Sequence, residues 1–261
     1  MEDLIRLLIS SDRLKRSNQN NLELTDKESH YINKVMRLKN GYEITIVNGE
    51  GALWKGKKID QKNIQFSSFD KPHYFKENKK LLIGLAISPP KRGFEDILKM
   101  TTEIGIDIIQ PLISERQIKK ISNHSLKMDR WDSIINEAVE QSERLWRPEL
   151  YSFIDINEWI NSLNKNDFVS ISVTRSDNTI GLRKWISNKK IIKEKNFIIW
   201  NVIGPEGGWS KNEMEKFRNL KIQFIKLSEN ILRTSTAAIK TASLLAECRE
   251  ELMSSIYCSR L

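Results

Sequence analysis

Residues 197–208 (FIIWNVIGPEGG) and residues 222–238 (IQFIKLSENILRTSTAA) are the two stretches that decide the fold. Each begins with an apolar, β-branched run that is typical of a buried strand. Each then passes through a loop and opens a helix. Helix starts present free N–H groups and the positive end of the helix dipole. The two stretches therefore predict a pair of backbone-rich loops that together hold a nucleotide-like ligand.

The first loop contains the glycine motif GPEGG at residues 204–208. Ser210 and Glu213 follow it as an S-x-x-E capping box, and Trp209 and Met214 occupy the hydrophobic-staple positions of the same helix start. The motif lacks the Gly-Lys-Ser/Thr ending of a P-loop and the G-x-G-x-x-G spacing of a dinucleotide site. The alternative is a glycine turn with no ligand.

Glu206 lies where a phosphate would bind in this first loop, and a carboxylate repels phosphate. The loop therefore suits a ligand with positive charge or with adenine and ribose donors.

A long helix follows the second loop, because no Gly or Pro interrupts residues 237–253. Its small and apolar residues recur at helical spacing, as in Ala238, Ala242 and Leu245. Two interpretations are open for this stripe, a tight intramolecular core and a contact between two copies of the chain.

The composition favours a polyanionic partner. The 261 residues include 43 basic and 34 acidic side chains, for a net charge of +9. Such an excess is typical of proteins that bind nucleic acid, although solubility is a second explanation. Cys248, Cys258 and the three histidines show no metal-ligand spacing, so we predict free thiols and no metal. No apolar run approaches the ~20 residues of a membrane span, and we expect a cytoplasmic protein.

Two domains are predicted along the chain. Residues 1–72 read as a small β-rich domain, with a helix from the Thr25/Glu28 capping box to residue 36 and strands at 42–47, 52–59 and 63–69. A turn at residues 48–51 joins the first two strands, and residues 71–80 read as a linker.

Strands and helices alternate through residues 73–261, which predicts an α/β domain with a mostly parallel sheet. The predicted strands span residues 81–87, 106–113, 150–154, 168–173, 197–203 and 222–227. The predicted helices span residues 94–104, 126–145, 156–163 and 182–187, followed by the two helices after the decisive loops.

Several motifs occur in an order that resembles a known family. These are KRGFEDILKMTTEIG at 91–105, SER at 114–116, EAVEQSER at 137–144 with Pro148, and the two loops already described. The chain resembles the trefoil-knotted SPOUT methyltransferases, and within them the 16S ribosomal RNA uridine N3-methyltransferase family (the RsmE family). The resemblance implies a PUA-like β-barrel RNA-binding domain at 1–72 and a knotted methyltransferase domain at 73–261.

The implied cofactor is S-adenosylmethionine (AdoMet), bound between three loops without a metal. The resemblance assigns its binding to the following residues: Val173, Thr174, Gly204, Pro205, Glu206, Gly207, Gly208, Leu227, Ser228, Ile231, Leu232, Arg233, Thr236 and Ala237.

The implied reaction is methylation of N3 of one uridine in the decoding region of 16S rRNA, within the 30S subunit, by a homodimer. Arg233 is our first candidate to stabilise the anion that develops on the uridine oxygens, and the alternative is a structural salt bridge. Glu206 is a candidate to orient the substrate or act as base, or else it braces its own loop. Arg144 is the third catalytic candidate.

The implied RNA-binding residues are mostly basic and lie in three regions of the chain. They are Arg6, Lys34, Arg37, Lys91, Arg92, Glu137, Gln141, Arg144 and Arg147. The spacing of Glu137, Gln141 and Arg144 predicts that they share one helix face. The family has Arg two residues before the Pro, where this chain has Trp146; either Arg147 replaces that guanidinium, or Trp146 stacks on a base.

Two other functions remain open at this stage. One is methylation of a ribose 2′-oxygen of RNA, which another branch of the superfamily performs. The other is a non-catalytic RNA-binding or ribosome-assembly factor that keeps the fold.

Overall fold

The computed structural model describes residues 5–17, 20–77, 81–117, 124–176, 178–187 and 197–258. The chain divides into two compact units. The first comprises Met1–Asn78 together with Asn136–Arg147, and the second comprises Lys79–Ile135 together with Pro148–Leu261. The sequence places the boundary at residue 72 and a linker at 71–80, whereas a short strand at Tyr74–Phe75 pairs within the first unit.

The first unit is built on a six-stranded sheet. Its strands are β1 (Arg6–Leu8), β2 (Asn21–Glu23), β3 (Glu43–Val47), β4 (Ala52–Lys58), β5 (Asn63–Phe66) and β6 (Tyr74–Phe75). Their order is β1-β3-β4-β5-β2, and β6 pairs with β4. β1 and β2 lie at opposite ends of this order, with no pairing between them among the described residues, so the closed barrel stays a prediction.

The predicted helix and turn are present in this unit, together with a short helix, α1 (Ser11–Lys15), that was not predicted. α1 precedes β2, and α2 (Asp26–His30) begins with the predicted capping box, in which Thr25 and Glu28 bond each other's backbone. The helix then continues as a π-helical turn at Tyr31–Val35 rather than as regular α-helix. The predicted hairpin joins β3 and β4, which pair antiparallel. Trp54 and Ile46 are almost fully buried in the apolar core beneath them.

Residues 136–147 belong to the first unit, where several long-range bonds attach them to strand β1 and to the residue that follows β6. The N–H of Leu8 donates to Oε1 of Glu140 at 2.7 Å, and Arg6 forms an ion pair with Glu143 at 2.7 Å. The indole N–H of Trp146 donates to the carbonyl of Lys76 at 3.0 Å. No local sequence pattern encodes these partners.

Helix α4 (His124–Gln141) ends earlier than the sequence predicts. Glu143 has a φ of +58°, which is incompatible with a continuing helix, and the N–H of Arg144 bonds the carbonyl of Val139. The prediction that Arg144 shares a helix face with Glu137 and Gln141 is therefore wrong. Its Nε instead donates to the carbonyl of Trp146 at 3.0 Å.

Glu140 is a half-buried carboxyl whose proton affinity depends on the fold. Burial raises the pKa of Glu140 to about 7 from its ordinary value of 4.5; Glu28 and Glu137 add repulsion, and the N–H of Leu8 opposes the shift. Between these two pH values the folded chain holds a proton that the unfolded chain has released. Stability from this group is therefore fully present below pH 4.5 and is lost as the pH rises through about 7.

We expect Glu140→Gln to be more stable than the parent at pH 8, by up to about 3 kcal/mol, because the amide carries no charge. Its oxygen can still accept the N–H of Leu8. Urea unfolding from pH 4 to pH 8 measures this, and the variant should lose the decline in stability between pH 5 and pH 7. Glu137→Gln, a change at an exposed position one turn away, is the control that should retain most of the decline, because Glu137 is the smallest contributor to the shift. An unchanged decline in Glu140→Gln would contradict the prediction.

The second unit contains a seven-stranded sheet whose observed pairs are all parallel. Its strands are β7 (Leu82–Ile87), β8 (Ile108–Ile113), β9 (Glu149–Leu150), β10 (Ile154–Asp155), β11 (Phe168–Ser172), β12 (Ile198–Ile203) and β13 (Gln223–Ile225). Their order is β10-β8-β7-β12-β11-β13, and β9 pairs with β8. The mostly parallel α/β fold that the sequence predicts is confirmed, with two very short strands where one was expected at 150–154.

Helices connect these strands. They are α3 (Phe94–Ile104), α5 (Ile156–Ser162), α6 (Leu182–Ile186), α7 (Lys211–Asn219) and α8 (Thr234–Cys258). β7, β8 and β12 are buried along nearly their whole length, as expected of central strands covered on both faces. No helix within the described ranges has the length and apolar character needed to cross a bilayer.

A buried ion pair fixes the long helix α8 to the residue that precedes β8. Nη1 of Arg249 lies 2.5 Å from Oδ2 of Asp107, and the two side chains are 4% and 9% exposed. Oδ2 also accepts the N–H of Ile83, and Nη2 of Arg249 donates to the carbonyl of Gly105. The pair thus joins a helix, a strand and a turn through hydrogen bonds that satisfy both charges.

Candidate functional site

A cleft of about 790 Å³ lies at the carboxyl ends of β11, β12 and β13. In open α/β sheets this edge is where ligands bind. Three segments line the cleft, namely residues 172–175 after β11, residues 203–209 after β12, and residues 227–237 between β13 and α8. The pairing of β12 with β11 and of β11 with β13 brings the three segments together.

The glycine loop is shaped by Trp209, which packs against its first residue. A side chain at Gly204 would place its Cβ 2.8 Å from the indole ring, so only glycine fits there. The indole N–H donates to the carbonyl of Ser172 at 3.2 Å, which joins this loop to the end of β11. Gly208 has a φ of +69°, in the region that favours glycine, and is followed by the confirmed capping box of Ser210 and Glu213.

The second loop leads into the N-terminus of α8. The carbonyl of Arg233 accepts the N–H of Ala237 at 2.8 Å, which starts the helix, and the side chain of Arg233 is exposed beside the cleft. Ile231 lines the cleft with 62% of its surface exposed. Leu227 and Leu232 are half-buried neighbours in the same wall. The wall thus combines apolar side chains with a positive helix end.

A buried polar network lies beneath the cleft and was not predicted. Asn201, fully buried in β12, donates from Nδ2 to Oγ of Ser170 at 2.8 Å. Its Oδ1 accepts the hydroxyls of Ser172 at 2.8 Å and Thr241 at 3.2 Å. Buried polar groups need such partners, and their full satisfaction makes a network rigid. The network joins β11, β12 and α8 under Ser172, which lines the cleft.

The cleft carries more positive than negative charge. Among the described residues its charged side chains are Arg116, Arg175, Arg233 and Glu206, all of them exposed. Arg233 makes no ion pair with any residue that the structure describes. These groups are available to a charged ligand.

Every residue that the resemblance assigns to the cofactor lines this cleft except Thr236, whose side chain is exposed on the first turn of α8. Several lining residues outside the three predicted loops were missed: Arg116, Ser172, Ile203, Trp209 and Met214. Ser172 and Ile203 end the strands that carry the loops, so their positions were a usable signal. Trp209 and Met214 were assigned only to the helix start, although they face the cleft as well.

The remaining predicted site residues have different surroundings. Lys34 and Arg37 are exposed in the first unit, and Lys91 and Arg92 are exposed after β7 in the second. Arg6 is held by Glu143, and Nε of Arg147 donates to Asn136 at 2.6 Å. Arg144 also belongs to the first unit. Roles for these residues in RNA binding or catalysis stay predictions.

Two family models match the chain. A model described as the RNA methyltransferase domain matches residues 76–246, and one described as the RNA methyltransferase PUA domain matches residues 24–64. The first match covers most of the second unit, including the cleft. The second lies wholly within the first unit.

Relatives and solved structures agree with these models. The ribosomal RNA small subunit methyltransferase E of Synechocystis sp. is 28% identical over 89% of this chain and 74% of its own. The protein of the same name from Mesomycoplasma hyopneumoniae is 31% identical over 65% of this chain and 69% of its own. A methyltransferase from Legionella pneumophila in complex with the bound cofactor SAM superposes with a TM-score of 0.77 and 25% identity, covering 94% of this chain and 97% of that one. The chain therefore belongs to the RNA methyltransferase family with a PUA domain, as a member of its ribosomal RNA small subunit methyltransferase E group.

Proposed function

We propose that this enzyme transfers the methyl group of AdoMet to N3 of a uridine in the decoding region of 16S rRNA. The observation that carries the proposal is the cleft at the ends of β11, β12 and β13, where the glycine loop and the start of α8 converge. Its position matches the ligand edge of a parallel sheet. The relatives named for methylation of small-subunit rRNA supply the substrate class.

The residues of the cleft fit AdoMet. Exposed Ile231, with Leu227 and Leu232 beside it, offers an apolar wall that the faces of adenine can cover. The glycine loop offers backbone groups at close approach because a Cβ at Gly204 cannot be accommodated. The carboxylate of Glu206 complements the positive charge of the ligand. AdoMet supplies an electrophilic methyl group on a sulfonium, which is itself a good leaving group, so the protein needs no metal for the transfer.

In the proposed step N3 of the uridine loses its proton and forms a bond to the methyl carbon while the carbon–sulfur bond breaks. The negative charge left by the proton spreads over O2 and O4 of the base until the bond has formed. A guanidinium placed beside those oxygens stabilises this charge and lowers the pKa of the N3–H group.

Arg233 is the residue proposed for this task, since it combines an exposed guanidinium with the N-terminus of a 25-residue helix. The helix end adds partial positive charge to that of the side chain. Glu206, exposed on the facing loop, is proposed to orient the substrate or to accept the proton. S-adenosylhomocysteine and N3-methyluridine are the products.

The proposal extends to the assembly and its partner. The enzyme acts in the cytoplasm on the 30S subunit as a homodimer, and its chain passes through the trefoil knot of the superfamily. Exposed Lys34, Arg37, Lys91 and Arg92 contact RNA. A monomeric mass at micromolar concentration, together with full activity, would contradict the dimer.

The reaction can be tested with 30S subunits that lack the modification. These are mixed with the protein and methyl-labelled AdoMet, and the digested rRNA is resolved by mass spectrometry. Labelled 3-methyluridine is the expected product. A labelled nucleotide whose 3′ phosphodiester resists alkaline cleavage would identify ribose methylation instead. The absence of both label and AdoMet binding would favour a non-catalytic RNA-binding factor.

Gly204→Ala should weaken AdoMet binding about 10- to 100-fold, because the added Cβ collides with Trp209 and overpacking costs about 1–3 kcal/mol. Calorimetric titration with AdoMet measures the loss. The matched control is Gly181→Ala, since Gly181 has a φ of −69° and open space around its Cβ direction. Equal affinities for the two variants would show that the close approach of Trp209 is not required.

A further inference from the structure

Arg116 is an exposed arginine on an unusually well-anchored loop. It follows β8 and lines the cleft. The preceding Ser114 is buried and accepts the hydroxyl of Ser88 at 2.9 Å. The N–H of Glu115 donates to Oε1 of Glu213 at 3.0 Å. Anchors on both residues before Arg116 fix the backbone from which its side chain extends.

Glu213 is the centre of this anchoring. It is 1% exposed, and its second oxygen accepts the N–H of Ser210 at 2.7 Å in the capping box of α7. One carboxylate thus joins the start of the helix after the glycine loop to the loop that carries Arg116. In a capping box the carboxylate needs only its bond to the N–H of Ser210. The additional bond to Glu115 therefore fixes the loop that carries Arg116.

The guanidinium of Arg116 makes little contact with the residues that the structure describes. Its one bond to the described residues is Nη1 to the carbonyl of Gly207, at a long 3.4 Å. By contrast, Arg249 is buried and bonded to both Asp107 and Gly105. A guanidinium has five N–H donors in a planar fork. Most of those of Arg116 remain available beside the cleft.

The charge of the cleft indicates what these donors bind. Arg116, Arg175 and Arg233 face a single carboxylate, that of Glu206, among the described residues. AdoMet itself carries an ammonium, a sulfonium and one carboxylate, so it adds to the positive charge rather than neutralising it. Phosphate groups of an RNA strand would supply the missing negative charge, and their geometry matches a guanidinium fork.

We infer that Arg116 binds a phosphodiester of the RNA next to the target nucleotide, and that Glu213 is the positioning residue that holds Arg116 for this contact. The inference rests on the proposed function, because that function places AdoMet in the same cleft. It adds a nucleic-acid backbone site to a region that would otherwise hold only the cofactor and the reacting base.

The test measures binding of labelled 16S rRNA by Arg116→Gln at a series of KCl concentrations, with AdoMet saturating. We expect affinity to fall about tenfold. The slope of log affinity against log salt should decrease in magnitude by about 0.7–0.9, as for one lost phosphate contact. The affinity for AdoMet without RNA should stay unchanged. Weaker AdoMet binding without RNA would overturn the inference, because Arg116 would then hold the carboxylate of the cofactor.

Lys211→Gln is the matched control, since it removes one positive charge from the first turn of α7, outside the cleft. Lys211 is exposed and makes no hydrogen bond or ion pair with the residues that the structure describes. We expect its rRNA affinity to change less than about threefold. Equal losses for the two variants would overturn the inference in favour of a diffuse effect of net charge.

Glu213→Gln tests the positioning role. The amide oxygen can accept only one of the two N–H groups, while the charge of Arg116 is retained. For Glu213→Gln we expect rRNA affinity to fall about threefold, with the salt slope unchanged. Ser210→Ala weakens the helix cap alone, and we expect it to leave rRNA affinity unchanged. Unchanged rRNA affinity in a folded Glu213→Gln variant would overturn the positioning role of Glu213. These measurements need no turnover, so they are independent of whether 3-methyluridine forms, which tests the proposed function.

Discussion

Replacing Arg233 with alanine should reduce turnover about 100- to 1,000-fold, the usual cost of losing one preorganised donor to a developing oxyanion. The affinity for AdoMet should fall much less than turnover, because the interaction of Arg233 with the base strengthens only in the transition state. Single-turnover methylation of 30S subunits measures the first quantity, and calorimetry measures the second. Turnover within a few-fold of the parent would exclude the role assigned to Arg233.

Two comparisons sharpen this prediction. Arg233→Lys keeps the charge but loses the planar fork, so its turnover should lie between those of the parent and the alanine variant. The activity of Arg233→Ala should also recover as the pH rises, because ionisation of N3–H by the solvent replaces the help of the guanidinium. Lys226→Ala, at an exposed position after β13 outside the cleft, is the control for loss of a nearby positive charge.

Replacing Arg249 with methionine should destabilise the second unit by about 3–5 kcal/mol, because the buried carboxylate of Asp107 would lose the guanidinium that balances its charge. The hydrogen bond from the N–H of Ile83 carries no positive charge and cannot replace the guanidinium. Urea unfolding followed by tryptophan fluorescence and circular dichroism measures the loss.

The matched control is Arg183→Met, which breaks an ion pair with Glu251 on the same helix α8. Both partners of that pair are more than half exposed, with 57% and 52% of their side-chain surface accessible. We expect this change to cost less than about 1 kcal/mol, because solvent already screens exposed charges. Similar costs for the two variants would show that burial of the Asp107 pair does not govern its contribution.

Elements with local signals were predictable from the sequence. Helix α3 (Phe94–Ile104) has the predicted bounds, and the capping boxes at Thr25 and Ser210 formed as expected. These features depend on hydrogen bonds between residues three or four positions apart. The two decisive loops were located for the same reason, since strand and helix signals flank each of them.

Features that depend on distant partners were not predictable. The end of α4 requires a positive φ at Glu143, a residue with no intrinsic preference for that conformation. The raised pKa of Glu140 depends on burial and on repulsion from Glu28, which is far away in the chain. Arg116 was visible only as part of a motif, because its place beside Gly207 follows from the order of strands. Strand order is set by tertiary packing, which periodicity does not encode.

The assignment of Asn136–Arg147 to the first unit has a consequence for biosynthesis. An N-terminal unit ordinarily folds as soon as it leaves the ribosome, at roughly 5–20 residues per second of synthesis. Here the strand Arg6–Leu8 must wait for Glu140 and Glu143, which are made several seconds after residue 78. Nascent chains halted before residue 136 should therefore leave this unit incomplete and open to chaperones, and those halted well beyond residue 147 should protect it from proteolysis.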